Sequence, residues 1–379
     1  MIITALNEIN TKDSRVAITP NAVKHYLKLG FEVFCENNAG QAAGFSDEDY
    51  IAAGANIEAD RKSLLKKTNI LVSVAEPAPS ELDGLQEDAL IIAPIDKDPD
   101  SALLLWACEE KIDVFSMNLI PRLSRAQSMD SLSSQANLAG YRAILEGVYH
   151  YNRAIPMMMT AAGMIHPAKI LVLGAGVAGL QAIATAKRLG AVIYAFDVRR
   201  AAKEQVESLG AEFIEVGEGQ DNETAGGYAS ETSEEYKRLQ AELIDKFAQQ
   251  ADIVIATALI PGRQAPILLT KKTIEAMKPS AIIVDLATSR GGNCEMSIRD
   301  EIVKTKKGTT IIGFSNLAGL IPATASELYA NNLLQLVTLL AASPPDLNFN
   351  AEDEIINQAT LCHNGNYLPF QQAKEIQND

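Results

Sequence analysis

One stretch near the middle of the chain restricts its fold more than any other: KILVLGAGVAGLQAIATAKRLGAVIYAFD, from Lys169 to Asp197. It begins with a short apolar run, typical of a strand buried on both faces of a parallel sheet. A glycine turn follows, then a helix with one apolar face that ends at Gly190, and then a second apolar run from Ala191 to Phe196. This order predicts a βαβ unit whose strands share one parallel sheet.

The glycine turn has the spacing GxGxxG, which in a βαβ unit is typical of a dinucleotide site. The first glycine allows the tight turn, the second lets a pyrophosphate approach the backbone, and the third lets the helix pack close to the strand. The helix N-terminus offers N–H groups and a partial positive charge to the phosphates. The predicted phosphate-binding residues are Gly174, Ala175, Gly176, Val177, Ala178 and Gly179. The alternative is a plain βαβ unit.

Asp197 ends the second strand about 20 residues after the glycines, where a carboxylate can accept hydrogen bonds from both ribose hydroxyls. Such a carboxylate would repel a 2′-phosphate and so favours NAD over NADP. Arg199 and Arg200 argue the other way, because an arginine nearby can hold that phosphate, although both can equally be solvated residues at the next helix start. We predict NAD(H) as the cofactor, with Val198 and Arg199 beside Asp197 in its site.

Three further apolar strands end in residues that can contact a nucleotide, because ligands of open α/β sheets bind beyond the carboxyl ends of strands. These residues are Ala258 and Leu259, Asp285 and Leu286, and Asn316 and Leu317. An asparagine at the last strand could hydrogen-bond a nicotinamide amide. Asp285 lies inside a buried strand, so its carboxylate is either a structural hydrogen-bond acceptor or a cleft residue.

Strands alternating with helices also fill the first 133 residues, which predicts a second parallel sheet, here without a glycine fingerprint. A long helix to about residue 153 leads towards the nucleotide domain, and an apolar helix over 324–342 returns the chain to the first. Asn364-Gly365 predicts a hairpin. The predicted fold is α/β, with two Rossmann-like doubly wound parallel-sheet domains joined by two long helices and a cleft between them. Residues 1–133 with 322–379 form the discontinuous first domain, and 134–321 form the Rossmann domain.

Three segments between these elements are open to more than one interpretation. In the polar loop 121–130, Arg122 could hold an amide or phosphate oxygen while Gln127 and Asp130 fix a carboxamide, or Arg and Asp could pair as a structural clamp. The acidic segment 218–235 is either a loose surface loop or a lid in which Tyr228 closes over a ligand. The Met-rich bend 156–164 is predicted to fill core gaps rather than to form a ligand surface.

Bulk composition excludes several classes of function. A formal net charge of −15 argues against nucleic acid or an anionic membrane surface as a partner. The four cysteines are far apart and lack metal spacing, which predicts free thiols in a reducing compartment and no metal site. The chain lacks a signal-peptide pattern and an apolar run long enough for a membrane span. Only four histidines are present, none in a catalytic motif, which suits direct hydride transfer between two nicotinamides.

Several motifs together resemble the NAD(H)-binding component, domain I, of proton-translocating nicotinamide nucleotide transhydrogenases, and the resemblance covers nearly the whole chain. The most specific are PRLSRAQSMDSLSSQANLAGYRA, MMMTAAG, GAGVAGLQAIATAKRLGA, KEQVESLGAEF, ETAGGYA and TALIPGRQAP. The resemblance implies that Arg122, Gln127 and Asp130, with Ser133 beside them, contact the nicotinamide end of NADH. It also implies that Asp197 binds the adenosine ribose and that Tyr228 belongs to a mobile loop that closes over the nucleotide.

The same resemblance implies a function, partners and a location. NADH bound to this soluble component would pass hydride to NADP⁺ on a separate subunit, and transmembrane subunits would couple that transfer to proton translocation. The chain would be catalytic only with its NADP-binding partner. It would form a homodimer without a membrane span of its own, peripheral to the cytoplasmic or organelle-matrix face of an energy-coupling membrane.

Alanine dehydrogenase is a more distant resemblance, and its pattern is broken at three places. The second lysine of its VKVKEP motif, which binds substrate, corresponds to Ala75. Its catalytic histidine falls near Ile92-Ala93-Pro94-Ile95, and its aspartate after the VDIAI strand corresponds to Ser289. The transhydrogenase pattern is itself only loosely kept over 90–96. A free-standing alanine dehydrogenase stays the alternative enzyme, and an NAD-sensing module is the alternative outside catalysis.

Overall fold

The computed structural model describes residues 1–8, 13–216, 234–259, 263–341 and 347–368. The chain divides into two compact units. Unit 1 comprises Met1–Gln135 and Gly319–Asp379, and unit 2 comprises Ala136–Ala318. The chain leaves unit 1 within a long helix and re-enters it just before a second one.

Strands and helices alternate through most of the described residues. The strands are β1 (Ile2–Ala5), β2 (Glu32–Glu36), β3 (Asn56–Glu58), β4 (Ile70–Val72), β5 (Leu90–Ala93), β6 (Asp113–Ser116), β7 (Met158–Thr160), β8 (Gly163–Ile165), β9 (Lys169–Leu173), β10 (Val192–Phe196), β11 (Glu212–Phe213), β12 (Ile253–Ala256), β13 (Ile282–Asp285), β14 (Ile302–Lys304), β15 (Thr310–Ile312), β16 (Thr360–His363) and β17 (Asn366–Tyr367). The helices are α1 (Pro20–Lys28), α2 (Asp47–Ala53), α3 (Arg61–Leu65), α4 (Ala102–Glu109), α5 (Ser131–His150), α6 (Val177–Arg188), α7 (Ala202–Ser208), α8 (Glu234–Ala248), α9 (Lys271–Ala276), α10 (Pro322–Leu340) and α11 (Glu354–Ala359).

Both units contain a doubly wound sheet. In unit 1 the parallel strands run β3-β2-β1-β4-β5-β6, and β16 and β17 extend the sheet antiparallel beyond β6. In unit 2 the order is β11-β10-β9-β12-β13-β15-β14, with β14 antiparallel at the edge. The parallel strands of each sheet have the order of a dinucleotide-binding fold, whose ligand lies where the strand order reverses. The predicted fold class, two Rossmann-like parallel sheets, is confirmed.

The sheet of unit 1 is buried on both faces. Ile70 and Val72 of β4 enter the core that α1 and α10 cover, whereas Leu71 between them enters the core that α3 and α4 cover. All three side chains are at most 1% exposed. Successive strand residues point to opposite faces, so burial of both faces produces a continuous apolar run. This is the pattern from which the strands were predicted.

The sheet of unit 2 is covered in the same way. Ile170 and Val172 of β9 face the core that includes residues of α5 and α6, and Leu171 and Leu173 face the core that includes residues of α8 and α9. The residues of α5 that enter this core are Ala143 and Ile144. The glycine turn between β9 and α6 therefore sits at the end of a strand that is fixed on both sides.

Two hairpins differ in how the sequence predicted them. Asn364 and Gly365, with φ of 51° and 73°, form the tight turn between β16 and β17, so the predicted hairpin is confirmed. β7 and β8 form a separate antiparallel hairpin. Within the chain Met157, Met159 and Met164 there are 61%, 78% and 50% exposed. The prediction that this segment fills core gaps was therefore wrong.

Among the described residues, no helix combines the length and the apolar character that a membrane crossing requires.

Candidate functional site

The glycine turn of unit 2 joins β9 to α6. Gly174 has a φ of +96°, in the left-handed region, and a Cβ there would lie 2.7 Å from the hydroxyl oxygen of Thr257. A Cβ on Gly179 would lie 1.9 Å from the carbonyl oxygen of Gly174, closer than any side chain can approach. These two positions therefore require glycine for the tight turn and for the close packing of helix on strand.

Gly176, the residue before α6, is different. A Cβ built on it meets no atom within 4 Å, and its φ of −76° suits any residue. The protein alone thus has no steric need for glycine here. The open space lies at a helix N-terminus, where the first N–H groups have no acceptor within the helix. Space and donors together fit the pyrophosphate of a dinucleotide.

Gly140 of α5 is a glycine that the sequence reasoning missed. A Cβ on it would lie 2.0 Å from the carbonyl oxygen of Ala178, so α5 packs directly against the first turn of α6. Nearby, the Asn137 side-chain amide donates a hydrogen bond of 3.3 Å to Gln181 of α6. The available signal was a glycine inside a long predicted helix, where glycine lowers helix stability unless packing requires it.

Asp197, at the end of β10, ties the glycine turn to the strand beside it. The side chain is nearly buried, and its Oδ2 accepts a 2.7 Å hydrogen bond from the backbone N–H of Ala175. The Arg199 guanidinium donates to both carboxylate oxygens, at 3.0 Å from Nε and 2.9 Å from Nη2. The sequence left Arg199 as either solvated or phosphate-binding, and the structure places its charge against Asp197. Arg200 is exposed.

Asn293 braces the end of β12 and was also missed. Its side-chain oxygen accepts from the backbone N–H of Ala258 at 2.9 Å, and its side-chain N–H₂ donates to the carbonyl oxygens of Ala258 and Pro266, each at 2.8 Å. Thr257 donates to the Gly174 carbonyl oxygen at 3.0 Å. These contacts hold the predicted nucleotide-contacting residue Ala258 beside the glycine turn. An asparagine directly after two glycines was the signal.

Asp285, at the end of β13, is fully buried. Its carboxylate accepts hydrogen bonds from the backbone N–H groups of Ala287 and Cys294, at 2.9 and 3.0 Å, and from the Ser297 hydroxyl at 2.7 Å. Of the two alternatives that the sequence left open, this arrangement favours the structural acceptor. It shapes the loop that carries Asn293.

The other predicted contact residues of unit 2 differ in exposure. Leu259 is exposed, Val198, Ala258, Leu286 and Asn316 are half-buried, and Leu317 is buried. Leu286 follows Asp285 directly, and its N–H donates to the carbonyl oxygen of Ala256 in the neighbouring strand. Tyr228 lies outside the described residues, as do residues 260–262, so the predicted role of Tyr228 stays a prediction.

The polar loop of unit 1 forms a short 3₁₀ helix, Ser124–Met129, anchored by buried Ala126 and Met129. Asp130 follows it and accepts hydrogen bonds from the backbone N–H and the hydroxyl of Ser133, at 2.9 and 2.6 Å. The two predicted site residues are thus in contact, and Asp130 caps the first turn of α5. Arg122 and Gln127 are exposed.

An arginine–aspartate clamp does exist in this loop, with a partner from elsewhere in the chain. Arg125 donates from both terminal nitrogens to Asp353, at 3.0 and 2.8 Å, and Asp353 caps α11. Asp130 instead binds Ser133. The clamp therefore fixes the loop without engaging the Asp130 carboxylate.

A buried polar cluster near the strand-order reversal of unit 1, where β1 adjoins β4, escaped the sequence reasoning. Glu8 accepts from the Ser73 hydroxyl at 2.7 Å and the Val74 N–H at 2.9 Å. Removal from water, the largest cause, raises the pKa of Glu8 to about 7. Arg15 pairs with Asp13 at 2.6 Å. The only signal was that these residues follow two adjacent parallel strands.

These features define a class. A doubly wound sheet with a glycine turn at its strand-order reversal, an open phosphate space and an acidic neighbouring strand end is a Rossmann-type dinucleotide-binding unit. A second doubly wound sheet accompanies it in the same chain.

Comparison with known proteins identifies the family. The model for the alanine dehydrogenase/PNT N-terminal domain matches residues 4–139, and that for the C-terminal domain of the same family matches residues 143–369. The chain belongs to the alanine dehydrogenase/PNT family, and membership implies that it binds a nicotinamide nucleotide.

Two groups of relatives differ in similarity. The chain is 45% identical over 361 residues to an NAD(P) transhydrogenase subunit alpha protein of Rhodospirillum rubrum, covering 93% of this chain and 94% of that one. It is 42% identical over 374 residues to the protein of the same description from Rickettsia prowazekii, covering 98% and 97%. Alanine dehydrogenase of Mycolicibacterium smegmatis is 26% identical over 388 residues, covering 99% and 97%.

Solved structures show the same two groups. A transhydrogenase structure from Sinorhizobium meliloti matches with a TM-score of 0.84 at 40% identity, covering 97% of this chain and 99% of that one. A structure of an L-alanine dehydrogenase matches with a TM-score of 0.81 at 24% identity, covering 99% of each chain. The second match shows a shared fold only.

Proposed function

We propose that this chain is the NAD(H)-binding alpha component of a proton-translocating transhydrogenase. NADH bound to it passes hydride to NADP⁺ on a partner subunit, and membrane subunits couple the transfer to proton movement. The observation that carries the proposal is the near full-length similarity, at 42–45% identity, to proteins described as NAD(P) transhydrogenase subunit alpha.

The residues of unit 2 are assigned to binding the nucleotide. The N–H groups at the start of α6 and the open space at Gly176 receive the pyrophosphate, and Asp197 accepts the ribose hydroxyls. Arg199 is paired with Asp197, so its charge is partly neutralised and its attraction for a 2′-phosphate is weakened. This pairing supports NAD(H) rather than NADP(H) as the nucleotide of this chain.

The residues of the unit 1 loop are assigned to the nicotinamide end. Gln127 and Asp130 fix the carboxamide, Arg122 contacts an oxygen, and Ser133 holds the Asp130 carboxylate in place. The dinucleotide supplies the hydride. No proton needs to be moved by a side chain, and the contribution of the protein is to position one nicotinamide for transfer to another.

Amino-acid oxidation is the alternative, and the local chemistry opposes it. At the positions corresponding to three functional groups of alanine dehydrogenase, this chain has Ala75, the segment 92–95 and Ser289. Ile92, Ala93 and Ile95 are buried hydrocarbon, and Ser289 is exposed. None of these side chains can take the place of a lysine, histidine or aspartate in acid–base chemistry.

The test is NADH oxidation by the purified chain with pyruvate and ammonium, with NADH binding followed in parallel by fluorescence. We expect binding without oxidation. Oxidation at an enzymatic rate would show an amino-acid dehydrogenase instead. An authentic alanine dehydrogenase in the same assay controls for conditions, and Gly176→Ala controls for specific binding.

The chain also forms a homodimer, with the β7–β8 hairpin as the contact. All six strand residues of this hairpin are exposed within the chain. Methionine and isoleucine side chains make it an apolar surface, and its strand edges pair only with each other among the described residues. Exposed apolar patches and unpaired strand edges are typical of protein interfaces. A second copy of this chain is the occupant proposed.

A further inference from the structure

Cys108 and Cys362 lie side by side in unit 1, although 254 positions separate them in sequence. Cys108 is near the end of α4, and Cys362 is in β16, against which α4 packs. Their sulfur atoms are 2.9 Å apart. A disulfide needs about 2.05 Å, so the sulfurs must approach by only about 0.9 Å to form a bond.

The two thiols differ in access. Cys362 is fully buried, whereas Cys108 is partly exposed. Burial also raises the pKa of the Cys362 thiol, which keeps it protonated and unreactive towards solvent. Cys108 is therefore the thiol that an oxidant in solution can reach, and Cys362 is held against its sulfur from the protein side.

We propose that Cys108 and Cys362 are a redox modification site that forms a reversible disulfide with low-molecular-weight disulfides such as glutathione disulfide. The Cys108 thiolate attacks one sulfur of the small disulfide, whose S–S bond breaks and releases one thiol. Cys362 then attacks the Cys108 sulfur of the mixed disulfide and gives up its proton to the departing second thiol. The protein loses two electrons and two protons, and the small disulfide is reduced to two thiols.

The location of the bond gives it a structural consequence. β16 joins the sheet of unit 1 by antiparallel pairing with β6, and β17 pairs only with β16 among the described strands. A bond to α4 would tie this C-terminal edge to the body of the unit and close a long loop of chain. Closing a long loop restricts the unfolded state, so the oxidised form should be the more stable one.

The site is tested on the full chain in glutathione buffers of increasing oxidised-to-reduced ratio, with rapid alkylation and mass spectrometry of its peptides. We expect a linked Cys108–Cys362 peptide that accumulates with the ratio and disappears with dithiothreitol, while two of the four cysteines remain alkylated. Cys362→Ser should instead trap glutathione on Cys108, and Cys108→Ser should abolish both products. Cys35→Ser, a change at a buried cysteine of β2, is the control and should behave as the unmodified chain.

Two results would overturn the proposal: both thiols still alkylated at the most oxidising ratio, or glutathione persisting on Cys108 of the unmodified chain without transfer to Cys362. A thermal melt checks the structural consequence. The linked form should unfold roughly 5–15 °C higher than the reduced form. A linked form that melts no higher would refute the stabilising role.

Discussion

At the scale of single residues, Asp130 has two roles that can be separated. Its carboxylate caps α5 through Ser133, and the proposed function places it at the nicotinamide carboxamide. Asparagine caps helices about as well as aspartate, so Asp130→Asn should keep stability and NADH affinity while slowing hydride transfer at least about tenfold, or about 1.4 kcal/mol. Asp130→Ala should in addition lose about 1 kcal/mol of stability. Turnover of Asp130→Asn equal to that of the unmodified chain would refute the assigned role.

Two glycines of the turn make a matched pair. Gly179→Ala would place a Cβ 1.9 Å from a backbone oxygen, whereas Gly176→Ala would meet open space. We expect Gly179→Ala to lower the free energy of unfolding by at least about 2 kcal/mol, and Gly176→Ala to change it by less than about 1 kcal/mol. Gly176→Ala should nonetheless weaken NADH binding at least about tenfold, because the methyl group occupies the phosphate space. Normal NADH binding by Gly176→Ala, measured by fluorescence, would contradict the proposed site.

Glu8 should make stability depend on pH. Its pKa is about 7 in the folded chain against an ordinary value of 4.5, so the folded state binds more protons between these values. Its contribution is therefore full below pH about 4.5 and is lost as the pH rises to about 7, with up to about 3 kcal/mol at stake. Glu8→Gln should unfold like the unmodified chain at pH 4.5 and be more stable at pH 8.

Denaturant titrations from pH 4.5 to 8 measure this difference. Glutamine keeps an oxygen that can accept from Ser73 and Val74, so the substitution mainly removes the charge. Exposed Glu48→Gln in α2 is the control. A stability difference between Glu8→Gln and the unmodified chain that stays constant over this range would contradict the effect.

The sequence predicted individual residues only where a local motif fixes them. Gly174, Gly179 and Asp197 follow from spacing along one βαβ unit, and the structure places them in contact through the turn. Asn293 and Glu8 could not be found in this way. Their partners come from distant parts of the chain, and a single sequence contains no record of that proximity.

At the scale of elements, strands buried on both faces were predicted well and exposed elements poorly. β9, Lys169–Leu173, has the predicted bounds because its whole apolar run lies between two layers of helices. The β7–β8 hairpin was missed, since its apolar residues lie on the surface and resemble a core segment in composition. Composition cannot distinguish burial within a chain from burial between chains.

The hairpin gives the prediction that belongs to this scale. Met159 is 78% exposed, and Met159→Lys should convert a dimer to a monomer of 40.8 kDa by adding a charge to the proposed contact. The matched control is Ile51→Lys, which changes a residue of α2 that is 59% exposed and should leave the dimer intact. Sedimentation velocity measures both. An unmodified chain that sediments as a monomer, or a dimeric Met159→Lys variant, would contradict the hairpin interface.

At the scale of the whole molecule, the fold class followed from the alternation of strands and helices, and the function followed from motifs that extend over both units. Net charge limited the partners but named none. Sequence separation was misleading for the cysteines: Cys108 and Cys362 were interpreted as far apart, yet their sulfurs are 2.9 Å apart. Closeness between distant segments is a property of the folded chain, and a linear sequence does not contain it.

The most direct measurement of the central claim is hydride transfer from NADH to NADP⁺ when this chain is mixed with the NADP(H)-binding component of a bacterial transhydrogenase. The subunit alpha protein of Rhodospirillum rubrum, 45% identical to this chain, is the positive control. The proposed function predicts NADPH formation that requires both proteins and is lost with Gly176→Ala. If the control transfers hydride while this chain binds NADH and forms no NADPH, the chain is not a transhydrogenase component.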